Sequence, residues 1–68
     1  MNIAGLSDRG LRALWDAVEK AFLADEDSIK AGQEPEYGVR TFQDWKAWSD
    51  QLEDEMRRRS IEFLPIPW

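Results

Sequence analysis

The side chains that could carry chemistry in this sequence are carboxylates, because the chain contains no histidine and no cysteine. Asp50, Glu53, Asp54 and Glu55 crowd one stretch, and general acid–base catalysis would fall to such groups. Catalysis also needs a pocket that shifts the pKa of a carboxyl group, whereas a run of charges on a helix usually faces solvent. We therefore predict a solvated helix face, no catalytic residue and no enzyme.

A second acidic cluster, Asp25 to Asp27, offers the oxygen ligands that hard cations prefer. Its spacing is not that of an EF-hand loop, and the composition excludes a zinc site built from cysteine and histidine. The sequence predicts no metal site and no cofactor.

The last residues, RRRSIEFLPIPW, join three arginines to an apolar segment. Aromatic and branched side chains gain free energy when they leave water, so this segment is expected to bind either its own core or another protein. If the segment docks on the chain's own core, Phe63 and Trp68 complete that core and give no information about partners. For the other alternative, the predicted partner-binding residues are Arg57, Arg58, Arg59, Ile61, Phe63, Leu64, Ile66 and Trp68.

The arginines also have an explanation that needs no ligand, since positive charge at the end of a helix complements the exposed carbonyl groups. The chain carries 14 acidic and 9 basic residues, a net charge of -5. Proteins that bind nucleic acid usually neutralise phosphates with lysine and arginine. We therefore expect no direct sequence-specific contact with nucleic acid.

Two amphipathic helices are predicted to position these groups. Residues 7 to 31 carry apolar side chains at steps of three and four, with Ser7 as N-cap and Gly32 as the stop. The acidic residues near its end oppose the helix dipole, so the last turns are expected to fray.

The second helix is predicted to open with Thr41 to Asp44, which has the form of a capping box, and to close at the arginines. Trp45, Trp48, Leu52 and Met56 form its apolar stripe. Residues 32 to 40 contain two glycines and one proline, and Tyr37 and Val39 alternate with polar residues, so either a short connection or a small β-hairpin fits.

The predicted fold class is therefore mainly α: two antiparallel amphipathic helices in a domain of residues 1 to 60, and an extended apolar tail, residues 61 to 68. The apolar stripes place Trp15, Trp45 and Trp48 in a shared core. Two helices bury only one side of such rings, so part of the aromatic surface is expected to stay available. A chain of 68 residues without disulfides gains stability from a partner, and several copies could assemble.

With these elements placed, the stretch AGQEPEYGVRTFQDWKAWSDQLEDEMRRR resembles the second half of the small head-to-tail joining proteins of tailed phages, similar to protein W of lambdoid phages. The resemblance covers about residues 11 to 60. The matching residues are Gly32 and Gln33, Tyr37 and Gly38, Arg40 and Thr41, and the helix through Leu52 and Glu53.

This resemblance implies a head completion role, in which several copies dock under the portal ring, help retain DNA and present a surface to the next connector protein. It also implies a binding role for the tail. The expected location is the host cytoplasm or the virion, since no apolar run approaches a membrane span and the first residues lack the pattern of a signal peptide. The alternative is a small acidic phage-encoded regulator that binds and inhibits a host protein.

Overall fold

Two α-helices form the body of the computed structural model, which describes residues 2–68. A short 3-10 helix, Ile3–Gly5, precedes α1, Asp8–Lys30, and α2, Asp44–Arg58. The helices are antiparallel, since Asp8 at the start of α1 pairs with Arg59 just beyond the end of α2 at 3.0 Å. The mainly α prediction is confirmed, and residues 2–68 contain no strand, so the helices are joined by a short connection and not by a hairpin.

The helix α1 begins at the predicted cap and continues through the acidic cluster. The Ser7 hydroxyl oxygen accepts the N–H of Gly10 at 3.0 Å, as an N-cap does. The predicted fraying is wrong, because the acidic residues have partners in the connection. Asp25 accepts the N–H of Val39 at 2.9 Å and Glu26 pairs with Arg40 at 2.8 Å.

The predicted capping box at Thr41 is also wrong, since α2 starts only at Asp44. Gly38 adopts a positive φ of 69°, and its carbonyl oxygen accepts the N–H groups of Thr41 at 3.0 Å and Phe42 at 2.9 Å. These residues therefore form a turn before the helix. Gln43, which flanks the first helical residue, makes no side-chain capping bond.

Both helices end in the same hydrogen-bonded turn, a Schellman motif. After α1, Gln33 N–H donates to the Ser28 carbonyl at 2.8 Å, and Gly32 has a φ of 75°. After α2, Ile61 N–H donates to the Met56 carbonyl at 2.9 Å, and Ser60 takes the left-handed position with a φ of 59°. A serine therefore occupies a position that favours glycine.

The tail, residues 61–68, lies on the chain's own helices. Ile66 is 4% exposed and belongs to the core. The Trp68 ring meets Phe22 edge-on at 5.1 Å, and the Phe63 ring lies 6.0 Å from Trp15. The structure thus shows the tail docked on its own core, which was one of the two alternatives. The buried apolar core consists of Leu11, Trp15, Val18, Ala21, Phe22, Val39, Leu52, Met56 and Ile66.

Replacing Ser60 by glycine should stabilise the fold, because a side chain at a positive φ costs roughly 1 kcal/mol and glycine avoids this cost. We expect Ser60→Gly to raise the free energy of unfolding by about 0.5–1 kcal/mol in urea titrations. Gly32→Ala is the matched control. A Cβ there meets no atom within 4 Å, so the expected loss of about 1 kcal/mol is purely conformational. Shifts in the same direction for both variants would contradict this explanation.

Shortening Ile66 should destabilise the fold, because the side chain is buried. Ile66→Val is expected to cost about 0.5–1.5 kcal/mol and Ile66→Ala about 2–5 kcal/mol, measured by thermal or urea unfolding. Leu64, in the same tail, is 82% exposed, so Leu64→Ala should change stability by less than about 0.5 kcal/mol. If the tail were free in solution, Ile66→Val, Ile66→Ala and Leu64→Ala would all leave the free energy of unfolding unchanged, which would contradict this prediction.

Candidate functional site

One of the two grooves between the helices is filled by the tail, and the other is open. The open groove, which we call the aromatic groove, has a volume of about 510 Å³. Leu14, Ala17 and Ala21 of α1 form one wall, and Trp45 and Trp48 of α2 form the other. Tyr37 from the connection closes one end. The surface is almost wholly apolar, which is typical of a site for an apolar ligand or a partner protein.

Three aromatic rings form a continuous row along this groove. The Tyr37 and Trp45 ring centroids lie 6.3 Å apart, and those of Trp45 and Trp48 lie 5.8 Å apart, both in edge-on geometry. Trp48 is 42% exposed and Tyr37 is 46% exposed. Aromatic residues that are partly exposed in a concave surface are the type most enriched at the centres of protein interfaces.

The Asp25 carboxylate holds the connection that carries Tyr37. It accepts the backbone N–H of Tyr37 at 2.8 Å and that of Val39 at 2.9 Å. Burial raises the pKa of Asp25, and the N–H groups of residues 36 to 39 lower it by more, so that the pKa lies below its ordinary value. The charged carboxylate therefore fixes the end of the aromatic groove.

Arg40 joins the connection to α1 and to the tail. Its Nε and Nη2 atoms donate to the Glu26 carboxylate, at 3.1 and 2.8 Å. Its Nη1 atom donates to the backbone oxygen of Trp68 at 2.6 Å, and the guanidinium lies over the Phe22 ring at 5.2 Å. The position of the tail is thus coupled to the connection that shapes the aromatic groove.

The three predicted partner-binding arginines are engaged by carboxylates of the same chain. Arg57 contacts Asp54 at 3.0 Å, and Arg58 contacts Glu55 at 3.2 Å. Arg59 binds Glu55 at 2.8 Å and the Ala4 carbonyl at 3.1 Å. The bonds to Glu55 and Asp8 raise the pKa of Arg59 above its usual value. The arginines therefore do not form an uncompensated basic patch.

The predicted partner-binding residues of the tail are divided between the core and the surface. Ile66 is buried, Phe63 and Trp68 are half-buried against α1, and Leu64 is exposed. Ile61 and Phe63, with Leu64 and Arg57, line a depression of about 550 Å³. The structure brings these four together and turns Ile66 inward. Their partner-binding role stays a prediction.

The acidic run on α2 is not wholly a solvated face, which corrects the sequence-based expectation. Asp50 and Asp54 are exposed, but Glu53 and Glu55 are 6% and 8% exposed. Glu53 accepts the Trp15 indole N–H at 3.0 Å, and Glu55 binds Arg59. Within residues 2–68, no group of three or more acidic side chains is placed to hold a metal ion.

Sequence reasoning identified the tryptophans of the groove but not Tyr37 as their neighbour. Trp45 and Trp48 were assigned to the core with part of their surface available, and the structure places Trp48 at the open groove. Tyr37 was assigned to a connection or strand. The signal that could have found it is Asp25, an acid at the wrong end of a helix, which needs hydrogen-bond donors from the connection.

Comparisons with protein-family models, curated proteins and solved structures find no match for this chain. Across residues 2–68, neither α-helix is both long enough and apolar enough to cross a membrane.

Replacing Asp25 by asparagine should destabilise the fold at neutral pH by about 1.5–3 kcal/mol, because hydrogen bonds to a charged acceptor are lost. The folded-state pKa lies below the unfolded value of about 4, so this stabilisation is complete above that value and disappears as the pH falls through the folded pKa. The difference in free energy of unfolding between the wild type and Asp25→Asn should therefore be constant above about pH 5 and shrink below pH 4.

The matched control for this titration is Asp27→Asn, since Asp27 is exposed and forms no ion pair within the described part of the chain. It should leave stability nearly unchanged at each pH. A pH-independent effect of Asp25→Asn would show that the charge of Asp25 is not what holds the connection.

Proposed function

We propose that this chain is a non-enzymatic assembly protein of a tailed-phage particle, which completes the head by docking on the portal ring. The resemblance of residues 11 to 60 to head-to-tail joining proteins supports the class. The observation that carries the binding role is the aromatic groove, an open apolar surface beside a core that the tail has already completed on the other side.

The groove supports protein binding better than catalysis. Among residues 2–68, every buried side-chain nitrogen and oxygen has a hydrogen-bond partner, so none of these buried groups is left unpaired for hydrogen bonding to a substrate. The groove walls are apolar except for Lys20, which leaves few groups to orient a reacting molecule. An apolar, aromatic wall of this kind matches the centre of a protein interface.

The test is deletion of the gene in the phage or prophage that encodes this chain. We expect DNA-filled heads without tails by electron microscopy, and restoration of tailed particles by the wild-type gene supplied on a plasmid. A gene carrying Trp48→Ala should restore poorly, whereas Leu23→Ala, which changes an exposed α1 residue outside both the aromatic groove and the tail, should restore fully.

Normal tailed particles after deletion would overturn the proposal. So would a stoichiometric complex of the purified chain with a soluble host protein that fails to form on portal rings, since this is the behaviour of a regulator.

A further inference from the structure

The tail is joined to α2 through one residue in a conformation that its side chain disfavours. Ser60 has a φ of 59°, in the left-handed region, and it is the one residue other than glycine at a positive φ among residues 2–68. Just before it, Arg59 is fixed by Glu55 at 2.8 Å and by Asp8 at 3.0 Å. The end of α2 is therefore anchored, and Ser60 is the hinge at which the tail turns back onto the helices.

The groove that the tail fills, which we call the tail-side groove, binds it through hydrogen bonds as well as apolar contact. Glu53 accepts the backbone N–H of Ile66 at 3.2 Å, and Ser49 accepts the indole N–H of Trp68 at 3.1 Å. The Trp68 ring also packs edge-on against Phe22. Each of these contacts requires a particular group at a fixed position along the tail. The tail-side groove therefore recognises this tail sequence and not apolar segments in general.

The tail-side groove needs an occupant, because the groups that hold the tail are buried beneath it. Glu53 and Ser49 are both buried, as are the aromatic side chains of Trp15 and Phe22. Without the tail, the Glu53 carboxylate would lose a donor and the two rings would gain contact with water, which are both unfavourable. The segment that restores all of these contacts is a second copy of the same tail.

Exchange of tails between two copies conserves the contacts in the tail-side groove and relaxes the hinge. The eight residues 61–68 span roughly 26 Å when extended, which exceeds the 21 Å width of the molecule, so a released tail reaches a neighbouring copy. Each tail-side groove is then filled as it is in the single chain. Both Ser60 residues become free to adopt an extended backbone. The hydrogen bonds of the turn are lost, but Ser60 is exposed, so water hydrates the released groups.

We propose that the tail-side groove is also an intermolecular site, which binds residues 61–68 of a second copy of this chain by exchange of tails about Ser60. Exchange of an identical segment gives a two-fold symmetric dimer in which each copy both donates and accepts a tail. The aromatic groove stays open in both copies. The inference concerns association of the chain with itself and does not depend on the proposed assembly function.

The experiment measures the mass of the full chain by sedimentation equilibrium at protein concentrations up to about 1 mM, because a segment on a short linker competes at an effective concentration in the millimolar range. Salt of about 0.15 M screens the repulsion between copies of net charge -5. We expect the wild-type chain to dimerise in this range.

Substitutions at the hinge should shift this equilibrium in opposite directions. Ser60→Val should lower the dissociation constant of the dimer at least about tenfold, because a β-branched residue disfavours the positive φ that only the closed monomer requires. Ser60→Gly should raise the dissociation constant at least about tenfold, because glycine adopts this φ readily and each dimer contains two hinges. The matched control is Leu64→Val, which changes an exposed tail residue without a positive φ and should leave the dissociation constant unchanged.

An intermolecular contact should identify the tail as the exchanged segment. Isotope-labelled and unlabelled chains are mixed in equal amounts, unfolded and refolded together. Isotope-filtered NMR spectra should then show a contact between the Trp68 ring of one copy and the Phe22 ring of the other, since these ring centroids lie 5.1 Å apart in the single chain. Circular dichroism confirms that each variant keeps its helices.

Several results would overturn the inference. These are a wild-type chain that stays monomeric up to about 1 mM, equal shifts for Ser60→Val and Ser60→Gly, or a dimer without the contact between Trp68 and Phe22. A monomeric Ser60→Val chain with an exposed Trp68 would show that the tail detaches without exchange. A dimer that Trp48→Ala abolishes and the Ser60 variants leave unchanged would assign self-association to the aromatic groove. The gene deletion tests the assembly function separately from all of these outcomes.

Discussion

The arrangement of the helices and the tail depends on the hydrogen bonds that the buried carboxylate of Glu53 accepts. Its Oε2 atom accepts the indole N–H of Trp15 in α1 at 3.0 Å and the backbone N–H of Ile66 in the tail at 3.2 Å. Arg57, one turn further along α2, lies 3.8 Å from Oε1. A buried charge that loses its partners is strongly destabilising, so α1, α2 and the tail are held together at one point. If the tail detached from the helices, the Glu53 carboxylate would lose the N–H donor of Ile66 and would either become exposed to solvent or stay buried with one hydrogen bond fewer.

Filling one groove with the tail determines which surface remains for other molecules. Two antiparallel helices have a groove on each side, and a single tail covers one of them. On the covered side, Trp68 donates its indole N–H to Ser49 at 3.1 Å and packs on Phe22, so aromatic and polar groups are satisfied together. On the other side, Trp48 has no such cover. Trp48 is therefore partly exposed because the two helices form two grooves and the chain has only one tail to cover them.

Helices were predictable here because their signals are local, whereas the connection and the tail depend on distant partners. Ser7 and the apolar spacing of α1 are read from neighbouring residues. Glu53 resembled any exposed acid in a charged run, because its donors lie 38 and 13 residues away and one of them is a backbone N–H. Thr41 does not cap α2, because its backbone N–H donates to the Gly38 carbonyl in the turn before the helix. Asp25 of α1 fixes the residues before this turn by accepting the backbone N–H of Tyr37. The groove tryptophans and their partial exposure were predictable from their stripe, but identifying which groove stays open required knowing where the tail lies.

The pairing of the arginines changes which surface can select a partner by charge. In the sequence, Arg57 to Arg59 look like a basic end next to an apolar tail, which suggests binding through the tail. In the fold, each of these arginines has a carboxylate within 3.2 Å, so a partner would have to displace existing ion pairs to gain new ones. The arginine-rich end of the protein therefore attracts a charged partner less strongly than its sequence suggests.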